Sequence, residues 1–118
     1  MRLNEVSYTG APPIEGYGPG FFRIGGEVRQ GPLLTSADGP ADWGGYDDPA
    51  ALVALAGQVD VIFIGTGADI APLPTTFREA LEAADLGYEI MASPTAARTY
   101  NVLLSEGRRI AVAMLPVG

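Results

Sequence analysis

The chain contains no cysteine and no histidine, and its seven basic residues are all arginines, so lysine is absent as well. Each absence removes a class of chemistry. Without cysteine there is no disulfide and no thiolate nucleophile; without histidine there is no imidazole proton shuttle, no Ser-His-Asp triad and no Cys/His zinc site; without lysine a phosphate-binding P-loop lacks its cation. What remains for catalysis is carboxylate, hydroxyl, tyrosine or arginine chemistry, or a carboxylate-held magnesium ion. Long hydrophobic runs are missing too: nothing approaches the roughly 20 apolar residues that span a bilayer, and the opening MRLNEVSYTG has no apolar stretch of signal-peptide type. The expectation is a soluble, cytoplasmic protein with no direct membrane insertion. Fourteen acidic residues against seven arginines leave a net charge of −7. It is spread evenly, seven acids against three arginines before Asp60 and seven against four from there on. Such a field repels phosphate backbones and anionic lipid, which argues against a nucleic-acid partner.

What is present suffices for one core: 47% of the 118 residues are hydrophobic, and neither a linker nor an internal repeat is evident. The expected organisation is a single domain over 1–118. Residues 1–45 form antiparallel β-hairpins and loops, and 46–118 form a helix followed by a βαβαβ unit. In the first part, short β-type runs at Val6–Tyr8, Ile14–Tyr17, Phe21–Ile24, Glu27–Arg29 and Leu33–Thr35 are punctuated by Gly18-Pro19-Gly20, Gly25-Gly26 and Gly31-Pro32. The glycine clusters are candidate phosphate cradles only if a helix follows them; none does, so they read as hairpin turns. Ser36–Pro40 reads as a surface turn. The single tryptophan, Trp43, is either a stacking platform or a plug at the edge of the core.

In the second part, Asp48 and Pro49 open a helix whose apolar stripe, Leu52, Val53 and Ala56, runs to Gly57; Asp47 and Asp48 suit capping better than a metal pair. The run Val61–Ile64 is a buried parallel strand stopping at Gly65-Thr66-Gly67. Thr76 and Glu79 form an S/T-x-x-E capping box for a helix with Phe77, Ala80, Leu81 and Ala84 on one face, and Gly87 stops it. A short strand at Tyr88–Met91 follows. Ser93-Pro94 then starts a helix to about Glu106, ended by Gly107, with Ala96 or Ala97, Tyr100, Leu103 and Leu104 as its stripe and Arg98 beside Asn101 on another face. The apolar strand Ile110–Leu115 closes the chain. Right-handed crossovers put both helices on one side of the sheet unless the strand order reverses between them.

One constellation is a candidate for function. Ligands of open α/β sheets sit at the carboxyl ends of the strands, where Gly65, Thr66 and Gly67 lie. If Ser93, at a helix amino end, and Arg98, Tyr100 and Asn101 converge there, the group suits a carboxylate or phosphate, or a protein partner. The alternative is structural: glycines that permit close packing, and Arg98 and Asn101 tying their helix to neighbouring loops. No catalytic residue, metal site or cofactor is assigned.

The run IGTGADIAPLPTTFREALEAADLGYEIMASPTAARTYNVLLSEGRRIAVAMLPV resembles a small, single-domain family of uncharacterised archaeal and bacterial proteins that includes the mitochondrial respiratory complex I assembly factor 3. The strand ending in Gly65-Thr66-Gly67, the Pro72-Leu73-Pro74 that follows and the Arg98-Thr99-Tyr100-Asn101 helix carry the resemblance. Upstream, FFRIGGEVRQGPLL and Trp43 extend it over nearly the whole chain. The resemblance implies an α/β fold of three layers, a mixed central sheet built on the C-terminal βαβαβ unit and flanked by helices and by the N-terminal antiparallel hairpin element. It also implies a non-catalytic protein-interaction module, with respiratory complex assembly proteins as partners, since the mitochondrial member acts by binding another assembly factor. The alternative function is a small-molecule or anion binder, or a weak enzyme, using a pocket at the end of strand 61–64.

Overall fold

The computed structural model describes residues 11–118; the strand expected at Val6–Tyr8 lies outside the described residues. Alternating short apolar runs and glycine turns give an antiparallel meander of three strands, Ile14–Gly18 (β1), Phe21–Ile24 (β2) and Glu27–Gln30 (β3). The β2–β3 reversal is a two-residue loop, Gly25-Gly26, with φ of 61° and 78° pairing Ile24 with Glu27. Two consecutive positive φ values define the hairpin turn whose twist matches the strands, and glycine adopts them without strain.

The chain then leaves this small sheet for a second one. Leu33–Ser36 (β4) pairs antiparallel with Gly39–Asp42 (β5) on one side and with the last strand, Ile110–Leu115 (β8), on the other. The surface turn expected over Ser36–Pro40 is thus corrected: the reversal occupies Ala37 and Asp38, and Gly39 to Asp42 run on as an edge strand. At an edge, proline's missing N–H is tolerated, which is how Pro40 fits. The parallel part consists of Val61–Thr66 (β6), which continues through Gly65 and Thr66, and Tyr88–Met91 (β7), giving the order β5-β4-β8-β6-β7.

That order settles the crossovers. β6 lies between β7 and β8, so the second crossover reverses the first, and right-handedness sends the two helices to opposite faces. Ile62, Ile64, Ala111, Ala113 and Leu34 face the helix Thr75–Ala83 (α2), together with the short helix Pro49–Val53 (α1) and Trp43. Phe63, Val112, Met114 and Leu33 face the helix Ser93–Ser105 (α3) and the inner face of the small sheet, Ile14, Phe22 and Ile24. The result is the expected single-domain α/β fold in three layers around a mixed sheet.

Helix ends depart from expectation in three places. α1 stops at Val53, short of Ala56, and Asp48 turns its carboxylate back to accept the Gly44 N–H at 3.2 Å instead of capping α1. α2 starts at Thr75 with Pro74 in the cap position, so Thr76 is already inside the first turn and no capping box forms. Its exit is a left-handed Asp85 (φ 56°), with the Leu86 N–H on Leu81 O at 3.1 Å and the Asp85 N–H on Glu82 O at 3.0 Å. This is a Schellman ending, and Gly87 lies beyond it. Gly87 is needed for another reason: a Cβ there would stand 3.0 Å from Asp60 O. Trp43 is a plug, 3% exposed, its indole N–H donating to Asp48 O at 3.0 Å.

Candidate functional site

The reversal between β7 and β8 creates a topological switch point, and the crevice outside the carboxyl ends of β6 and β8 is where an open α/β sheet ordinarily takes a ligand. Here protein fills it. The amino end of α3 sits directly on β6: a Cβ at Gly65 would lie 2.6 Å from Ser93 Oγ, 2.8 Å from Ser93 Cα and 3.0 Å from Met114 Cγ. Glycine at this position is a condition for the helix to approach so closely. Gly67, at φ 102°, folds the chain back so that its carbonyl accepts the Ser93 N–H at 2.8 Å. Ser93, wholly buried, accepts the Gly67 N–H on its hydroxyl at 2.9 Å and donates that hydroxyl to Leu115 O at 2.6 Å. One side chain therefore clamps the ends of β6 and β8 to the start of α3. It does so with the groups that would otherwise face an anion.

Thr66 finishes the seam. Its hydroxyl donates to Asp69 O at 2.7 Å and accepts the Ala71 N–H at 3.0 Å, pinning the loop between β6 and α2. Gly65, Thr66, Gly67 and Ser93 are thus brought together. The other three candidates stand farther along α3, about 7.5–12 Å from Ser93 at a rise of about 1.5 Å per residue, too far along the helix to reach the seam. Tyr100 points into the core and is wholly buried. Its phenol lies beside the Thr35 hydroxyl of β4, yet neither oxygen finds a partner in hydrogen-bond geometry among the described residues. Burial pushes the Tyr100 pKa above its ordinary value, and the neighbouring Thr35 hydroxyl pulls partly against this. Asn101 faces the small sheet: its Oδ1 accepts the Ile14 N–H and its Nδ2 donates to Ile14 O, both at 2.8 Å. It serves as a one-residue strand partner for the edge of β1. Arg98 is exposed, its guanidinium 3.4 Å from Thr95 Oγ, and lines a shallow hollow of about 290 Å³ with Thr99, Val102 and Leu103.

Larger hollows lie away from the seam, among them one of about 400 Å³ at the exit of α2 beside Glu82, Asp85 and Leu86, and two others. One, of about 420 Å³, sits at the opposite end of the sheet among Gln58, Glu106, Arg108 and Arg109. Arg109 there is engaged by Gly57 O at 3.0 Å and by Asp60 Oδ1 at 3.9 Å. The other, of about 510 Å³, lies between the turn at Gly45–Asp47 and the start of α2, lined by Tyr46, Asp47, Pro49, Pro74, Thr76 and Phe77. Sequence reasoning missed it, though its two signals were visible: a tyrosine three residues after the lone tryptophan, and prolines at the start of α1 and just ahead of α2.

A three-layer α/β domain with a packed switch point and hollows on its outside is the class these features define. The chain belongs to the family described as a protein of unknown function (DUF498/DUF598), whose model matches residues 14–115. An uncharacterised protein of Rhodobacter capsulatus is 55% identical over 99% of this chain and 94% of its own. The zebrafish NADH dehydrogenase [ubiquinone] 1 alpha subcomplex assembly factor 3 is 30% identical over 98% of this chain and 71% of its own. Among solved structures, a protein of Bartonella henselae described as an outer membrane protein is 30% identical and superposes with a TM-score of 0.80 over 95% of this chain and 100% of that one. A Mth938-like domain from Bordetella pertussis is 26% identical, with a TM-score of 0.77 over 100% and 94% of the two chains. The resemblance drawn from Gly65 to Asn101 and the mixed-sheet fold it implied are both borne out. Among the described residues no helix is long and apolar enough to cross a membrane.

Proposed function

We propose that this chain is a non-catalytic protein-interaction domain that acts in the assembly of respiratory complex I. The observation that carries the reading is its 30% identity, over 98% of its length, to a protein named as an assembly factor of NADH dehydrogenase. The geometry of the switch point supports it: the crevice in which a sheet of this kind ordinarily holds a small molecule is closed by Ser93, Gly65 and Gly67. Recognition then falls to the outer surface and to partners large enough to use it.

The test has two arms in the source organism. Tagged chain purified from detergent-solubilised membranes should bring down respiratory subunits or their assembly proteins, and deletion of the gene should lower NADH:ubiquinone oxidoreductase activity. Normal activity in the deletion strain together with no respiratory protein in the purified material would overturn the proposal.

A further inference from the structure

Building on the interaction-domain reading, we infer that the hollow between the Gly45–Asp47 turn and the amino end of α2 docks an extended segment of a partner protein that carries proline beside an arginine or lysine. Its walls are two aromatic and two proline rings, Tyr46, Phe77, Pro49 and Pro74, around about 510 Å³. These walls are preformed. Phe77 is 1% exposed and forms the floor, with the half-buried Tyr46 ring 5.1 Å from it at 56° and the buried Trp43 ring behind both, 6.0 Å from Phe77 and 6.4 Å from Tyr46. A cluster held in this way loses little side-chain freedom when a ligand arrives.

The lining decides the chemistry of the occupant. Aromatic faces carry a negative quadrupole and attract cations, and grooves walled by aromatic rings are the recurrent receptors of extended proline-bearing peptides. The Tyr46 phenol, whose ordinary pKa already keeps it protonated at neutral pH and which desolvation raises further, is a donor for a peptide carbonyl. At the rim stands the exposed carboxylate of Asp47, in a chain of net charge −7 without a single lysine. A basic flank is drawn to this rim and an acidic one is repelled. A second copy of the chain is disfavoured on the same ground, since it brings another seven negative charges.

Random dodecapeptides displayed on phage and panned against the full chain test the inference. Enriched peptides should carry proline within two residues of arginine or lysine. A synthetic peptide made from the consensus should perturb the fluorescence of Trp43, the only tryptophan. Its affinity should fall at least about tenfold in Tyr46→Ala and about fivefold in Asp47→Lys, as expected for an anchor and for a rim charge. Added salt should weaken binding to the native chain and not to Asp47→Lys. Asp47→Lys lies on an exposed turn and keeps its fold, so it decides the matter even if Tyr46→Ala does not. No enrichment over the display vector, enriched peptides without a basic residue, or undiminished binding by Asp47→Lys would each overturn the inference. So would a concentration-dependent dimer that disappears in Tyr46→Ala, which would give this surface to a second copy. If panning fails while gene deletion still lowers complex I activity, the interaction-domain reading stands and its docking surface lies elsewhere.

Discussion

Replacing Ser93 with alanine removes the atom on which the seam depends, and the cost follows from its two bonds. The hydroxyl accepts the Gly67 N–H at 2.9 Å and donates to Leu115 O at 2.6 Å. Ser93 is wholly buried and Gly67 is buried beside it, so water does not take over the lost acceptor. A buried donor left without a partner costs about 1–3 kcal/mol, and the bond to Leu115, whose residue is half-buried, adds about 1 kcal/mol. The sum is about 2–4 kcal/mol. With an unfolding entropy near 2.1 cal/mol/K per residue, 118 residues give about 0.25 kcal/mol/K, so a loss of 3 kcal/mol lowers Tm by about 12 °C. Urea unfolding followed by Trp43 fluorescence measures it, with a lower midpoint at unchanged slope. Thr95→Ala, two residues along the same helix on its exposed side, is the control and should change stability by less than about 0.5 kcal/mol. A Ser93→Ala loss below about 0.5 kcal/mol would refute the clamp, and with it the structural support for excluding a ligand from this crevice.

The other predictions concern the same layers. Gly65→Ala forces a Cβ to within 2.8 Å of Ser93 Cα, a backbone atom that cannot rotate away, so α3 must shift; the expected loss is about 1–3 kcal/mol in urea unfolding, and an unshifted, fully stable variant would contradict the packing. Asn101→Ala should cost about 2 kcal/mol and speed amide exchange at Ile14, whose N–H and carbonyl both lose their partner. Tyr100→Phe and Thr35→Val each delete a buried hydroxyl without a hydrogen-bond partner among the described residues, so each should be neutral or stabilising by up to about 1 kcal/mol; a loss of stability would reveal a bond. The Tyr100 pKa is raised in the folded state by burial, so its contribution is complete below the unfolded pKa of 10.0 and is lost as pH rises from there through the folded value. Unfolding free energy measured across that alkaline range should fall with pH in the native chain, and less steeply in Tyr100→Phe.

The parts of this fold that the sequence disclosed are those set by local chemistry. Gly25-Gly26 permits only a tight hairpin, Phe21–Ile24 can bury alternate residues only as a strand, and the stripe Ala96, Ala97, Tyr100 and Leu104 defines the inward face of α3. β5 was hidden because Gly39-Pro40-Ala41-Asp42 has no β-forming residue: it is a strand only because β4 supplies a partner. Strand order was equally illegible, since handedness constrains a crossover without saying on which side of β6 the chain returns. At the candidate site, the glycines and Ser93 announced the seam, whereas the separation of Arg98 from Asn101 depends on where β1 lies, and β1 is 87 residues away from Asn101. The hollow at Tyr46 joins segments around residues 46 and 76, which nothing short of the tertiary fold brings together.

The closed switch point changes what the rest of the molecule has to do. A doubly covered sheet ordinarily leaves its crevice open because loops at the carboxyl ends diverge where the crossovers reverse. Here the loop after β6 and the start of α3 converge instead, tied through one serine, and the carbonyl of Leu115 is drawn into the same knot. The groups that would recognise a small anion, namely the Gly67 N–H and the first N–H and hydroxyl of α3, are spent on holding β6, α3 and β8 together. Freeing them for a ligand would expose polar groups that the fold now satisfies, at a cost comparable to the 2–4 kcal/mol estimated for losing the clamp. A domain of usual stability, about 5–15 kcal/mol, has little room for that. On the interaction-domain reading, recognition is left to surface whose use costs the core nothing, and the aromatic hollow beside Asp47 meets that condition: its floor is the core residue Phe77, its rim is half-buried or exposed, and occupying it breaks none of the bonds that close the seam.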